Sequence, residues 1–334
     1  MPSISPEPHS FSSSRKIGWL AAATVAGCVL WTIGWFLVAE KIEDNLPETM
    51  ARISGPNASA GCARAEVRGY PFRFGLFCQT LSYGNTSEGV TVLSGALRSA
   101  AQFYRPGHVV AEIDGPLAIT APGLDARVDW QVLQTSVQAA PGGLNRGSLD
   151  VRNVRFDIDA AGLTRKFAIQ ADKIIAHGRK NGPDLDIALY GEQLQNNLVT
   201  KLVAKAFTLE ATLPGQAGVL DAPYKPISGP FDVRFHRLAI ELDDTSSLEI
   251  SGPVQIGADG RLSGTLEVTV RNQKRFIELS TNISPEIANL FNRFAPVISS
   301  LDSKPGKDGI TLPLTIENNR VSLGMFPLGQ LPDF

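Results

Sequence analysis

An uncharged run of 23 residues, IGWLAAATVAGCVLWTIGWFLVA, constrains this chain more than any other feature. It fills positions 17–39, beginning at Ile17 and ending at Ala39. At about 1.5 Å rise per residue, a helix of this length crosses a hydrocarbon core of roughly 30 Å. Arg15 and Lys16 precede the run, and Glu40, Lys41, Glu43 and Asp44 follow it. Trp19 lies near one end and Trp35 near the other, where indole rings favour the headgroup level. Ile17, Trp19, Trp35 and Ala39 therefore mark a predicted transmembrane anchor. A cleaved signal peptide has a shorter apolar core and a small-x-small cleavage site, which Leu37, Val38 and Ala39 do not supply. Val25-Ala26-Gly27-Cys28 has the look of a lipobox, but eleven apolar or uncharged residues follow the cysteine where a polar tether is expected. A buried helix of a soluble domain fits less well, because the run is apolar all round and lies near the N-terminus.

Positive residues near a span stay cytoplasmic. Arg15 and Lys16 on one side oppose Lys41 and Arg52 on the other, and the first pair abuts the span. The expected topology is a cytoplasmic tail at residues 1–16, rich in Ser and Pro, a transmembrane helix at 17–39, and a linker at 40–60. That linker is expected to be helical to about Asn45, with a further turn after Pro47. The remainder, 61–334, lies on the far side of the membrane.

The chain has 334 residues, a net charge of −2 and no long run of one sign. Nucleic-acid binding would need clustered Lys and Arg, so no nucleic-acid partner is expected. The part after the anchor is long enough for a sizeable core. Of three cysteines, Cys28 falls in the span; Cys62 and Cys78 are the only two beyond it. Such an isolated pair suggests a disulfide made in an oxidising compartment, which agrees with the outward orientation. Gly69-Tyr70-Pro71 reads as a turn between two strand-like runs. A hairpin centred on Tyr70 sets Cys62 opposite Cys78. The same register places Phe74 opposite Glu66 and Leu76 opposite Arg64, a mismatch that a one-residue bulge would repair.

The turn Gly69, Tyr70, Pro71, Phe72 and Arg73, the cysteines that bracket it, the Trp35 to Glu40 exit of the anchor and the ending NRVSLGMFPLG at 319–329 resemble a known family. It is the set of single-span bacterial envelope proteins called domain of unknown function 2125. The resemblance covers most of the chain after residue 30. It implies a location and an architecture: bacterial inner membrane, single pass, N-terminus cytoplasmic and bulk periplasmic. It supplies no catalytic residues.

The rest reads as strands at 109–113, 117–120, 128–137, 150–158, 167–176, 185–190, 203–213, 231–235, 238–242, 248–251, 254–256 and 264–270, with a last hairpin at 310–325 turning on Asn318 and Asn319. Gly115-Pro116, Gly229-Pro230 and Gly252-Pro253 each look like a turn opening a strand, which raises a duplication of two halves, 61–213 and 214–334, against the plain use of Gly-Pro as punctuation. Ser284, Pro285 and Glu286 begin a predicted helix with an apolar stripe at Ile287, Leu290, Phe291 and Phe294, ending near Leu301. It is expected to pack on the sheet or to cover a groove.

Chemistry is hard to find. His9, His108, His177 and His236 are scattered, and neither a phosphate loop, a nucleophile elbow nor a dinucleotide fingerprint occurs. Asp243-Asp244 and Asp157 with Asp159 read as solvated carboxylates. Arg73, flanked by Phe72 and Phe74, is expected to face away from them or to reach an acid. No enzyme activity, metal or cofactor is expected. The predicted fold is mainly β: a transmembrane helix, then a large antiparallel domain, curved sheet or sandwich, with one or two short helices. Beyond the bilayer, the expected partner is a lipid or other amphiphile bound or transferred on an apolar sheet face. The rival is another envelope protein, held by sheet edges in an assembly role.

Overall fold

The computed structural model describes residues 13–54, 57–161, 166–197, 203–221, 227, 229–280 and 309–331. One long helix, α1 (Ser13–Ser54), leads into a 20-stranded antiparallel sheet. The helix runs through Pro47 without stopping, so residues 40–54 are helical rather than a linker. Docking explains why the proline does not end it. Thr32, Trp35, Ala39, Glu43, Leu46 and Met50 recur at three- and four-residue intervals, and these are the positions that α1 turns toward the β domain. Asn45 and Thr49 also donate side-chain hydrogen bonds to the carbonyls of Lys41 and Asn45 beside the proline. By contrast, every described side chain from Arg15 to Trp31 is exposed.

The sheet is a simple up-and-down meander. Its first five rows are each broken in the middle: β1 (Ala58–Ala63) with β2 (Glu66–Arg68), β3 (Arg73–Cys78) with β4 (Thr80–Asn85), β5 (Val90–Ser94) with β6 (Leu97–Gln102), β7 (Arg105–Ile113) with β8 (Leu117–Ala121), and β9 (Leu124–Asp129) with β10 (Val132–Ala140). Both halves of each row pair with the next row in nearly one register, for example Leu81 with Ser94 and Cys78 with Leu97. β11 (Gly143–Ala160) pairs along its first part with β10 and along its last part with β9. Then follow β12 (Phe167–Asn181), β13 (Asp184–Asn196), β14 (Val203–Leu213), β15 (Phe231–Glu241), β16 (Ser247–Ile256), β17 (Leu262–Arg271), β18 (Ile310–Glu317), β19 (Arg320–Leu323) and β20 (Phe326–Gln330). Each pairs with its sequence neighbours, and no pairing among the described residues joins the β1–β2 row to β20. The sheet is not closed.

The row breaks line up. Arg64, Gln79, Gly95, residues 114–116, Trp130 and Asn153 fall opposite one another from row to row and trace a crease across the strands. Arg64, Asn153 and, further on, Gln193 have left-handed backbones, with φ of 50, 49 and 53°. An inserted left-handed residue turns the strand and shifts its in–out alternation by one. Val151 and Val154, on either side of Asn153, therefore bury into the same cluster with Ala171. One apolar face survives the crease. The same rule corrects several strand expectations. The run at 128–137 is two strands, split at Trp130, whose ring lies against Gly115 and whose indole N–H donates to the Ile113 carbonyl (2.8 Å). The runs at 231–235 and 238–242 are instead one strand with a bulge between Phe235 and Leu238, and 248–251 and 254–256 are likewise one. Gly252 sits in that irregularity with φ +132°, and a Cβ there would lie 2.4 Å from the Thr265 carbonyl oxygen. Gly252-Pro253 is thus mid-strand, Gly115-Pro116 lies in the crease, and Gly229-Pro230 precedes β15. The three have different settings, and the β14–β15 pairing makes 61–213 and 214–334 parts of one continuous sheet. The helix expected from Ser284 to Leu301 lies outside the described residues.

Apolar clusters are local. Each is built from neighbouring strands, with the 3₁₀ turn Ala217–Leu220 covering one and α2 (Gln273–Ser280) covering another. Among the described residues none joins two distant parts of the sheet, as the core of a sandwich would. The most deeply buried large side chain is the polar Asn319, 0 % exposed. With Asn318 it makes the β18–β19 turn in left-handed conformations, as two-residue hairpins demand. Its Oδ1 accepts the Leu262 N–H (2.8 Å), and its carbonyl accepts from Leu331. Asn319→Ala leaves the Leu262 N–H unpaired and should lower stability by about 1–3 kcal/mol. A urea titration should show a lower midpoint with an unchanged slope.

Candidate functional site

The first row and the anchor form one unit. Trp35, 4 % exposed, stacks on Phe74 with centroids 5.2 Å apart and meets Tyr70 edge-on at 5.6 Å. Its indole N–H donates to the Arg73 carbonyl (3.1 Å). Trp31 donates to the Pro71 carbonyl (3.1 Å), and the Thr32 and Tyr70 hydroxyls share a hydrogen bond of 2.7 Å. Higher on α1, a Glu43 carboxylate oxygen accepts the Val67 N–H. The turn at residues 69–73 is therefore the fastening between helix and sheet. Buried indoles that keep a hydrogen-bond partner satisfy both the apolar body and the polar tip of the ring.

The Cys62–Cys78 disulfide is present, with Cα atoms 5.2 Å apart. The register differs from a Tyr70-centred hairpin. Cys62 pairs with Leu81, and Glu66 pairs with Phe77. The disulfide is a diagonal bridge at the crease, where Arg64 bends the first row. The apolar mismatch disappears: Val67 now opposes Leu76, and Phe74 lies on that same face.

From Phe74 the apolar face continues across the sheet. Directly paired residues project to one side. Phe74 pairs with Ala101, then Val109, then Val137. A neighbouring ladder runs Leu149, Ala176, Leu189, Leu209, Leu238, Ile250, Val268 and Leu312. Beyond the crease, Phe156 pairs with Val128 and Leu117 with Val128. This face therefore spans from the anchor to the last strands.

The opposite face is polar. Arg98 pairs with Glu112 and Asp114, Arg155 with Asp157, Arg179 with Asp186, and Arg237 with Glu249. Two adjoining shallow hollows of about 680 and 660 Å³ lie there and share Ser148 and His177. The described histidines are spread over this face, each bonded to a hydroxyl: His108 to Ser136 (3.0 Å), His177 to Ser148 (2.8 Å) and His236 to Thr212 (2.9 Å). They do not converge, and no group of three metal-binding side chains forms among the described residues. Hydrogen bonds hold several carboxylates below their usual range. The donor is Arg98 for Asp114 and Arg155 for Asp157. For Asp186 it is first the Thr212 hydroxyl and then Arg179. Asp243 accepts first from the Thr245 backbone N–H and also from Arg275, which ties α2 to the β15–β16 turn.

Sequence reasoning singled out the turn at residues 69–73 but not what it touches. It missed a second aromatic tip, Phe103 and Tyr104 in the β6–β7 turn. Phe103 lies 4.9 Å from Trp31, and its N–H donates to the Phe72 carbonyl (3.1 Å). The signal was available: Phe103-Tyr104-Arg105 repeats the aromatic-then-arginine order of Phe72-Arg73.

Fold and site together define a helix-anchored, open antiparallel meander with one apolar and one charged face. The chain belongs to the family described as "Uncharacterized protein conserved in bacteria (DUF2125)", whose model matches residues 35–332. No curated protein and no solved structure matches it.

Two outcomes follow. Cys62→Ser or Cys78→Ser should lower stability by roughly 2–4 kcal/mol, toward the low end because the closed loop is short. Thiol labelling of the unfolded, unreduced wild type should modify Cys28 alone. Acid should also destabilise the domain. The lowered carboxylates bind protons more weakly when folded than when unfolded, so their contribution is full above the ordinary carboxylate pKa of about 3.9 and is lost as pH falls below it. Denaturation midpoints should hold from pH 7 to 5 and drop below about pH 4. Asp243→Asn should blunt that drop.

Proposed function

We propose that this is a single-pass inner-membrane protein whose periplasmic sheet holds or passes a lipid or similar amphiphile along its apolar face. The observation that carries the reading is continuity. The apolar face of an unclosed sheet begins at the Trp35–Phe74 ring stack on the anchor and runs without a charged interruption along the paired ladders. Each acyl CH₂ removed from water contributes about 0.8 kcal/mol, so a face of this kind is a usable surface for a chain. Among the described residues one apolar helix is of membrane length, which supports single-pass anchoring. The disulfide supports the oxidising side of the membrane. Enzymatic chemistry has no part in this proposal.

Photo-crosslinking tests it. Full-length protein in membranes containing a phospholipid with a diazirine on its acyl chain should give adducts on β11 to β14, far from the anchor. Leu189→Glu should abolish those adducts and leave the disulfide and protease resistance intact. Adducts confined to α1, or unfolding by every such substitution, would remove the reading. Reporter fusions after Ile53 should be active only when the reporter requires export.

A second reading, an assembly role, has its own support. Among the described residues one sheet edge lies against α1 and β20 ends the other, with Met325 just before it and Phe326 at its start exposed. Free edges accept strands from partners. A photoreactive side chain at Phe326 that captures one envelope protein in cells would favour it.

A further inference from the structure

We infer that the aromatic tips of the β2–β3 and β6–β7 turns are embedded in the lipid leaflet beside the anchor, so that the apolar face opens at acyl-chain depth. The inference rests on the reading that α1 spans a bilayer. The position of Trp31 along α1 carries it. Trp31 touches both tips, through the Pro71 carbonyl and the Phe103 ring. It stands five residues before Phe36 and eight before Ala39. A 30 Å hydrocarbon core that begins at Ile17 takes roughly 20 residues and ends near Phe36. One that ends at Ala39 lies further out. Trp31 is then about 7–12 Å inside the boundary in either placement. Whatever packs on Trp31 shares its depth.

The tips have the composition that such a depth requires. Phe72 and Tyr104 are each 62 % exposed, and Phe103 is 40 % exposed. A water-facing turn has no use for three uncovered rings at one end of a sheet, and contiguous exposed apolar patches mark interaction surfaces. The next residue in each case is an arginine, Arg73 opening β3 and Arg105 opening β7. Arginine one position above an inserted ring reaches the phosphate level, the arrangement that aromatic and basic side chains adopt at an interface. The backbone bond from Phe103 to the Phe72 carbonyl holds the two tips as one wedge. Phe74, Ala101 and Val109, the first rungs of the apolar ladder, stand directly above it.

Depth-dependent quenching decides the matter in the full chain. The protein is reconstituted, disulfide intact, in vesicles of phosphatidylethanolamine and phosphatidylglycerol. An environment-sensitive fluorophore is placed at native Cys28 or, in a Cys28→Ser background, at Phe72→Cys, Tyr104→Cys or Ser87→Cys, the last in the distant β4–β5 turn. Each variant must match wild type in trypsin resistance. A nitroxide on the acyl chain of added phosphatidylcholine should quench positions 28, 72 and 104 at least twofold and leave 87 unchanged; aqueous iodide should do the reverse. If 72 and 104 behave like 87 while 28 is quenched by lipid, the tips are in water, the inference is wrong and the anchor stands. If all four respond only to iodide, α1 does not span and the inference falls with it.

Discussion

An antiparallel meander that does not close has no second sheet on which to bury its apolar face. Everything else in this molecule follows from that constraint. Among the described residues the clusters stay local, short non-strand elements serve as patches over two of them, and the most buried large side chain is an asparagine rather than a hydrophobe. Stability comes from cross-strand neighbours on each face, the sheet's equivalent of the helical i,i+4 pair. The charged face is tied by Arg–carboxylate pairs while the other is left apolar over the same rows. On the proposed reading a lipid or other amphiphile is the occupant of that face.

The crease decides whether such a face can be long. A strand of constant alternation that bends sharply loses either its pairing or its facing. Here the rows bend where one to three residues drop out of the ladder, with left-handed residues at Arg64, Asn153 and Gln193, and the alternation resumes with the apolar set on the original side. Asn153 also bonds the Gln131 side chain across the break, so the neighbouring rows turn together. The disulfide crosses the same line at its first row.

Much of this was legible from residue pattern alone. The long apolar helix announced itself by length and lack of charge, β14 by a run of alternating side chains, and the last turn by two successive asparagines. Bulges were not legible, because an alternation that slips by one looks like the end of a strand. That is why β15 and β16 read as four strands; the break within 128–137 was hidden for the opposite reason, since Val128, Trp130 and Val132 keep a regular alternation through it. Pro47 was taken as a helix terminator, and tertiary docking of Trp35 and Ala39 outweighed it. The aromatic fastening was invisible for a different reason. Residues 31–35 and 70–74 are close only in three dimensions, and nothing in either stretch names the other.

The openness of the face also limits what it can do. An acyl chain lying on a single sheet is shielded on one side and meets water on the other, so it recovers roughly half of the 0.8 kcal/mol per CH₂ that full burial supplies. A chain of sixteen or so methylenes would then remain several kcal/mol less stable on the sheet than in the bilayer. Such a surface does not store lipid on its own. On the proposed reading it would lower the barrier for a chain that leaves the leaflet while still touching it, provided that the face starts at the membrane. If α1 spans the bilayer, the Trp35–Phe74 stack meets that condition by fixing the first rung of the ladder to α1 itself. A free-standing carrier would need its cover in place first. A tethered face would need only a partner at its far end, and β20, the last strand of the sheet among the described residues, lies there.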